Sequence, residues 1–189
     1  MKKIIVSEHI TLDGFVAGPN GEMDWIKLDD EIFDLVNEFT IEADTALYGR
    51  VTYEMMEAYW PTAANQPNAT KHDVEHSTWY NKSEKVVLSK TMTNVNRNKI
   101  KFVSDNAATE IEKIKNQGDK NIMVFGSPSI VHLLTKHNLV DEYWLFVNPV
   151  ILGEGIPMFE KLSNKTSLEL VTSKAFVCGV VGLNYKVNQ

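Results

Sequence analysis

Short apolar runs alternate with helical spacings along most of this chain. Residues 3–10 are rich in isoleucine and valine and read as a strand. Residues 11–24 break the pattern with Leu12-Asp13-Gly14 and Gly18-Pro19-Asn20-Gly21, a loop long enough to be functional inside a compact domain. Asp29 or Asp30 can cap a helix running to about Glu42, with Ile32, Leu35, Val36 and Phe39 at helical spacing. Residues 45–48 read as a short buried strand, 51–59 as a helix and 61–68, with two prolines, as a surface loop. Residues 70–81 are ambiguous, with a helix as one reading. Residues 85–89 and 100–103 follow as strands. Residues 107–116 make a helix with Ile111 and Ile114 inward, stopped by Gly118 at the C′ position. Residues 121–125 are a buried strand, and 129–137 a helix carrying Ile130, Val131, Leu133 and Leu134. A long strand over 142–150, a glycine-rich crossing over 151–159 and two strands over 167–173 and 175–187 complete the chain.

Alternating strands and helices over the first three quarters predict a mostly parallel sheet. The strand-only end predicts antiparallel strands closing one edge. No repeat, low-complexity tract or linker divides the 189 residues, so a single domain over 1–189 is expected.

At 43% hydrophobic residues the chain has enough for a large core. A net charge of −6, with scattered basic residues, argues against a nucleic-acid partner. The lone cysteine, Cys178, excludes an internal disulfide and a multi-cysteine zinc site, and its apolar surroundings predict a buried, inert thiol. The N-terminal apolar stretch is too short for a signal sequence or a membrane span. No membrane association and a cytoplasmic location are expected.

Two loops carry the candidate chemistry: Gly49-Arg50-Val51-Thr52-Tyr53-Glu54 and Phe125-Gly126-Ser127-Pro128-Ser129. Each turns a strand into a helix, and a helix start offers backbone N–H groups and a positive dipole end to a phosphate. Arg50 adds a planar cation suited to a second phosphate. Ser89 and Lys90, ending another strand, offer a hydrogen bond and a charge to a 2′-phosphate. Each loop alone is more often plain strand–helix packing. Together they point to a dinucleotide, and Arg50 to NADP over NAD. The Rossmann fingerprint is absent, since Gly153-Glu154-Gly155 is only half of it and Met158 stands where the third glycine belongs.

The 11–25 loop holds Asp13, Asp24 and Trp25 and reads as a cover for nicotinamide and substrate. A carboxylate at Asp13, Asp30 or Asp34 would orient a nitrogen heterocycle through paired hydrogen bonds. Turn chemistry is an even alternative for Asp13; a cap and a solvated face are the leading alternatives for Asp30 and Asp34. His72 and His76 stand at i, i+4, but no third ligand is evident, and no metal site is expected. Neither a serine-hydrolase elbow nor an ATPase phosphate loop is present. Tyr143, Trp144, Leu145 and Phe146 make both faces of one strand apolar, as in a central strand or one facing a partner subunit.

These pieces, in this order, resemble the dihydrofolate-reductase-like superfamily. The branch they resemble is the C-terminal reductase domain of the bifunctional riboflavin-biosynthesis protein and its stand-alone relatives. The likeness rests on Thr11-Leu12-Asp13-Gly14, Asp24-Trp25, Gly49-Arg50-x-Thr52-Tyr53-Glu54, Val87-Leu88-Ser89 and Phe125-Gly126-Ser127. It continues through Leu139-Val140-Asp141-Glu142 and the run from Asn148-Pro149 to Gly153-Glu154-Gly155. The resemblance implies a three-layer α/β sandwich and an NADPH-dependent reductase of a nitrogen-heterocyclic or ribosylaminopyrimidine-type substrate. Dihydrofolate reduction and a non-catalytic, dimeric NADP-binding module are the alternatives. It implies that Gly49, Arg50, Val51 and Thr52 hold the ribose-side phosphates, with Leu88, Ser89 and Lys90 near the adenosine 2′-phosphate. It places Phe125, Gly126, Ser127, Pro128 and Ser129 at the pyrophosphate and Phe15, Val16, Ala17 and Gly18 near the nicotinamide ribose. Asp13, Trp25, Asp30, Phe33 and Asp34 would border the substrate, with Asp13 or a water carrying the proton. A homodimer is the expected assembly.

Overall fold

Apolar alternation sets the strands and three- to four-residue spacing the helices, and the elements follow in chain order. They begin with β1 (Ile4–Thr11), β2 (Phe15–Ala17), α1 (Asp30–Ile41), β3 (Ala43–Gly49) and α2 (Arg50–Ala63). Next come α3 (Lys71–Lys82), β4 (Glu84–Leu88), β5 (Ile100–Val103), α4 (Ala107–Lys115) and β6 (Asn121–Phe125). The rest are α5 (Pro128–Lys136), β7 (Glu142–Asn148), β8 (Ile156–Pro157), β9 (Leu168–Ala175) and β10 (Val181–Val187). The computed structural model describes residues 1–92, 99–160, 162 and 165–188. It divides into two compact units, Met1–Lys3 with Asp30–Met123 and Ile4–Asp29 with Val124–Gln189.

In the first unit β5, β4, β3 and the Asn121–Met123 part of β6 are parallel neighbours. The core there is Ile32, Ala46, Leu47, Tyr48, Tyr80, Val87, Ile111 and Met123. The chain start is anchored by buried Lys2, whose Nζ bonds Asp44 and Thr45. In the second unit the remainder of β6 lies beside β1, β1 is parallel to β7, and β10 and β9 follow antiparallel. Ile4, Val6, Val124, Val131, Leu134, Phe146 and Met158 fill that core. The fold is mixed α/β, with a mostly parallel sheet and antiparallel C-terminal strands.

Several boundaries differ from the sequence reading. Pro61, read as the start of a loop, lies inside α2. Proline fits helical φ but takes the N–H from the Glu57 carbonyl and crowds it, a cost met here only in the last turn, where buried Ala63 anchors the helix. Residues 71–82 are helical because Thr70 and Asp73 form a reciprocal capping box. The 11–24 loop contains β2, which pairs with β8 out of the glycine-rich crossing. Gly118 has φ +94° but lies two residues past the C-cap Asn116, one further than expected. Cys178 is half-buried rather than buried, because it sits in the tight turn between β9 and β10, where its N–H reaches Asp29.

Candidate functional site

The second unit builds its site on the turn from β6 into α5. Gly126 (φ +64°) and Ser127 (φ +71°) are both left-handed. Serine there costs about 1–2 kcal/mol, a strain that survives only where the surroundings impose it. Ser127 is 6% exposed and caps α5 with its backbone, its carbonyl accepting from Ile130 and Val131 at 2.8 and 3.1 Å. Pro128 presets the first helical φ. The turn leads into the N-terminus of α5, whose positive dipole end favours an anion.

Glu8 on β1 reaches this turn. The Gly126 N–H donates to its carboxylate. Oε2 of the same group is sealed from solvent with no hydrogen-bond partner. Burial pushes its pKa up to about 8, opposed by the Gly126 bond. The next residue, His9, faces the other way, stacks on Phe146 at 5.0 Å and lies 3.2 Å from Asn148 Nδ2 through Nδ1. Burial lowers His9 to about 4, so the ring is neutral and Nδ1 accepts. Asn148 is fully buried; Oδ1 accepts from Lys27 N–H at 2.8 Å and Nδ2 donates to the Phe146 carbonyl at 3.0 Å.

The 11–25 loop is held from within this unit. Asp13 accepts from Thr11 Oγ1 at 2.6 Å, Gly153 N–H at 2.8 Å and Leu152 N–H at 3.3 Å. The Thr11 hydroxyl first, then these backbone bonds, holds its carboxyl below the usual range. An ionised carboxylate with its oxygens committed to the 152–153 turn positions that turn; it is a poor proton donor. Val16, Ala17 and Gly18 are buried, so only their backbone and the half-buried Phe15 can meet a ligand. Trp25 donates from Nε1 to the Glu22 carbonyl at 3.2 Å.

In the first unit Gly49 is the N-cap of α2 without a side-chain cap. Arg50 opens the helix and pairs with Glu54 at 2.9 Å, an exposed pair that an arriving phosphate can outbid. Val51 is exposed and Thr52 buried. Leu88 ends β4; Ser89 turns its hydroxyl back to the N–H groups of Thr91 and Met92, and Lys90 is exposed. Asp30 opens α1 on the surface, and Asp34 is tied to Lys71 at 2.6 Å. Phe33 stacks on His72 at 3.9 Å, and His76 lies 4.1 Å from the Trp60 ring. Burial lowers His72 and takes His76 to about 3, so this pair is aromatic packing. Among the described residues no group of three or more metal-ligating side chains converges.

Sequence reasoning did not single out Glu8, His9 and Asn148, polar groups within β1 and at the end of β7. The signal was an acid and a histidine side by side in a strand that opens on Ile4-Ile5-Val6.

A mostly parallel sheet with antiparallel closing strands defines an α/β fold of the dihydrofolate reductase class. The family model described as the RibD C-terminal domain matches residues 2–182, and the chain belongs to that family. The uncharacterized protein YyaP of Bacillus subtilis is 33% identical over 99% of this chain and 96% of its own length. The Thermotoga maritima diaminohydroxyphosphoribosylaminopyrimidine deaminase/5-amino-6-(5-phosphoribosylamino)uracil reductase shares the fold. Its TM-score is 0.69 at 15% identity, over 99% of this chain and 57% of that one. A dihydrofolate reductase from Enterococcus faecalis complexed with NADP(H) has a TM-score of 0.67 at 14% identity, covering 99% and 97% of the two chains.

Proposed function

We propose that this protein is an NADPH-dependent reductase of a nitrogen heterocycle or a ribosylaminopyrimidine-type small molecule. The observation that carries the reading is the Gly126–Ser127 left-handed pair, a strained turn that leads into the N-terminus of α5, where a pyrophosphate is favoured. Family membership supports a reductase, and the NADP(H) named for the Enterococcus faecalis enzyme supports the cofactor.

In the second unit the reading gives the pyrophosphate to 125–129, the nicotinamide ribose to 15–18 and a border of the substrate to Trp25. In the first unit it gives the 2′-phosphate to Arg50, Ser89 and Lys90, the adjoining phosphates to Gly49, Val51 and Thr52, and substrate contacts to Phe33 with Asp30 or Asp34. NADPH would supply the hydride. The protein orients the two reactants and excludes water, which provides most of the acceleration for such a transfer. Asp13 keeps the 152–153 turn in place beside the 11–25 cover, and the proton comes from water. The exposed apolar residues of β9 and its turn, Leu168, Leu170, Val171 and Val177, support a second copy of this chain as partner; sedimentation at micromolar concentration reads that state directly.

The test is NADPH oxidation against a panel of pyrimidines and pterins, run beside Arg50→Ala. The variant should weaken NADPH binding at least tenfold and leave NADH within about twofold, since only NADPH carries the 2′-phosphate that a charge-assisted bond holds. Equal losses for both cofactors would remove Arg50 from the 2′-phosphate.

A further inference from the structure

His9 and Thr11 on β1 share one sheet face with Phe146 and Asn148 on β7, at the C-terminal ends of two parallel strands. That end is where ligands gather in open parallel sheets. The 11–25 loop leaves from it, and the Lys27 N–H comes back to it, donating to Asn148 Oδ1 at 2.8 Å. The orientation of the Asn148 amide is fixed by its partners. Turned over, it would set Nδ2 against the Lys27 N–H and Oδ1 against the Phe146 carbonyl, which Nδ2 reaches at 3.0 Å. Nδ2 offers hydrogens alone, so His9 Nδ1, 3.2 Å away, accepts. The proton of the neutral ring is therefore on Nε2. An imidazolium would bring an Nδ1–H against the Asn148 hydrogens, and burial, which takes His9 down to about 4, acts in the same direction.

Nε2 is the open end of this network. Among the described residues it has no hydrogen-bond partner, and unlike Glu8 Oε2 it is not sealed from solvent. The half-buried ring is held by its stack on Phe146 at 5.0 Å and by the Asn148 bond. Neighbouring polar groups are engaged: Asp13 with Thr11, Leu152 and Gly153, Thr11 Oγ1 also with the Phe15 N–H, and Trp25 Nε1 with the Glu22 carbonyl. A neutral N–H of fixed tautomer pairs with a carbonyl oxygen and is left unpaired by an amino group. We propose that His9 is a substrate-binding residue whose Nε2–H donates to a ring carbonyl of the heterocycle, with Asn148 fixing the tautomer. This rests on the reductase reading given above and narrows its substrate to an oxopyrimidine ring, free or fused, over a ring that carries amino groups in those places.

The experiment uses the full chain saturated with NADP, so that no turnover occurs. Nitrogen-15 NMR of the histidine rings at pH 7 should show His9 as the Nε2–H tautomer before any further ligand is added, a readout that needs no variant. The probe 6-aminouracil, with two ring carbonyls, should bind and shift the Nε2–H resonance. The analogue 2,4,6-triaminopyrimidine, with amino groups in their place, should bind about tenfold more weakly. His9→Phe keeps a ring on Phe146 and removes the donor. It should raise the 6-aminouracil dissociation constant about tenfold, cut the preference between the two rings to about twofold and leave the NADPH constant within about twofold. His9 protonated on Nδ1, or 6-aminouracil binding that is absent or unchanged in His9→Phe, would overturn the assignment and, with NADPH still bound, leave the cofactor reading standing. A wild type that binds neither NADPH nor NADP would instead overturn the reductase reading, and the role of His9 with it.

Discussion

The Asp13 carboxylate gathers one hydroxyl and two backbone N–H groups, and this decides what it can do. Bonds of that kind stabilise the charged form, so the group is ionised wherever the enzyme works. Replacing it by asparagine keeps the shape and loses acceptor capacity for Leu152 and Gly153. Asp13→Asn is therefore expected to lower kcat/KM by roughly ten- to a hundredfold through misplacement of the 152–153 turn. The pH profile between 5 and 9 should keep its shape. A limb that disappears in the variant would make Asp13 the proton carrier after all.

At the scale of elements, the pairing of β2 with β8 depends on one missing side chain. A Cβ on Gly155 would collide with the Ala17 carbonyl oxygen and press on Phe15 at 3.2 Å. Gly155→Ala should cost about 2 kcal/mol in urea unfolding, in the range of other overpacked sites. An unchanged midpoint would mean that the two short strands part freely. The contrast with the sequence reading is instructive here. Strands built from strong apolar runs, such as 85–89 and 121–125, were legible because burial on both faces dictates their composition. The 126–129 turn was legible too, as a glycine between a strand and a helix. β2 and β8 were not, since a three-residue and a two-residue strand carry no periodicity and exist only through their pairing. The α3 helix hid its signal in the Thr70–Asp73 box, while its face is polar. Glu8 was passed over because nothing in a strand's alternation says that an acid will end beneath a turn more than a hundred residues away.

At the scale of the whole molecule, half-buried Glu8 and His9 and buried His76 shape the response to pH among the described residues. His9 and His76 have folded pKa values of about 4 and about 3, below the 6.5 of the unfolded chain, so unfolding takes up protons and stability falls as pH drops below 6.5. For His9 alone the full effect is about 3 kcal/mol. Glu8 works the other way: its pKa rises from 4.5 to about 8 on folding, so its contribution is complete below 4.5 and is lost as pH climbs through 8. Between pH 6.5 and 8 that loss is about 2 kcal/mol. Urea unfolding of the unliganded protein should therefore peak near pH 6.5, and Glu8→Gln should flatten the alkaline side and steepen the acid side above pH 4.5; an unaltered alkaline decline in the variant would place the titrating group elsewhere. No helix among the described residues is long and apolar enough to cross a membrane. The most direct test of the central claim is thermal unfolding with saturating NADPH, with NADH beside it. At a hundred times its dissociation constant NADPH should add about 2.7 kcal/mol and raise the melting temperature clearly, with a much smaller effect from NADH at the same concentration. No shift with NADPH or NADP would contradict the account.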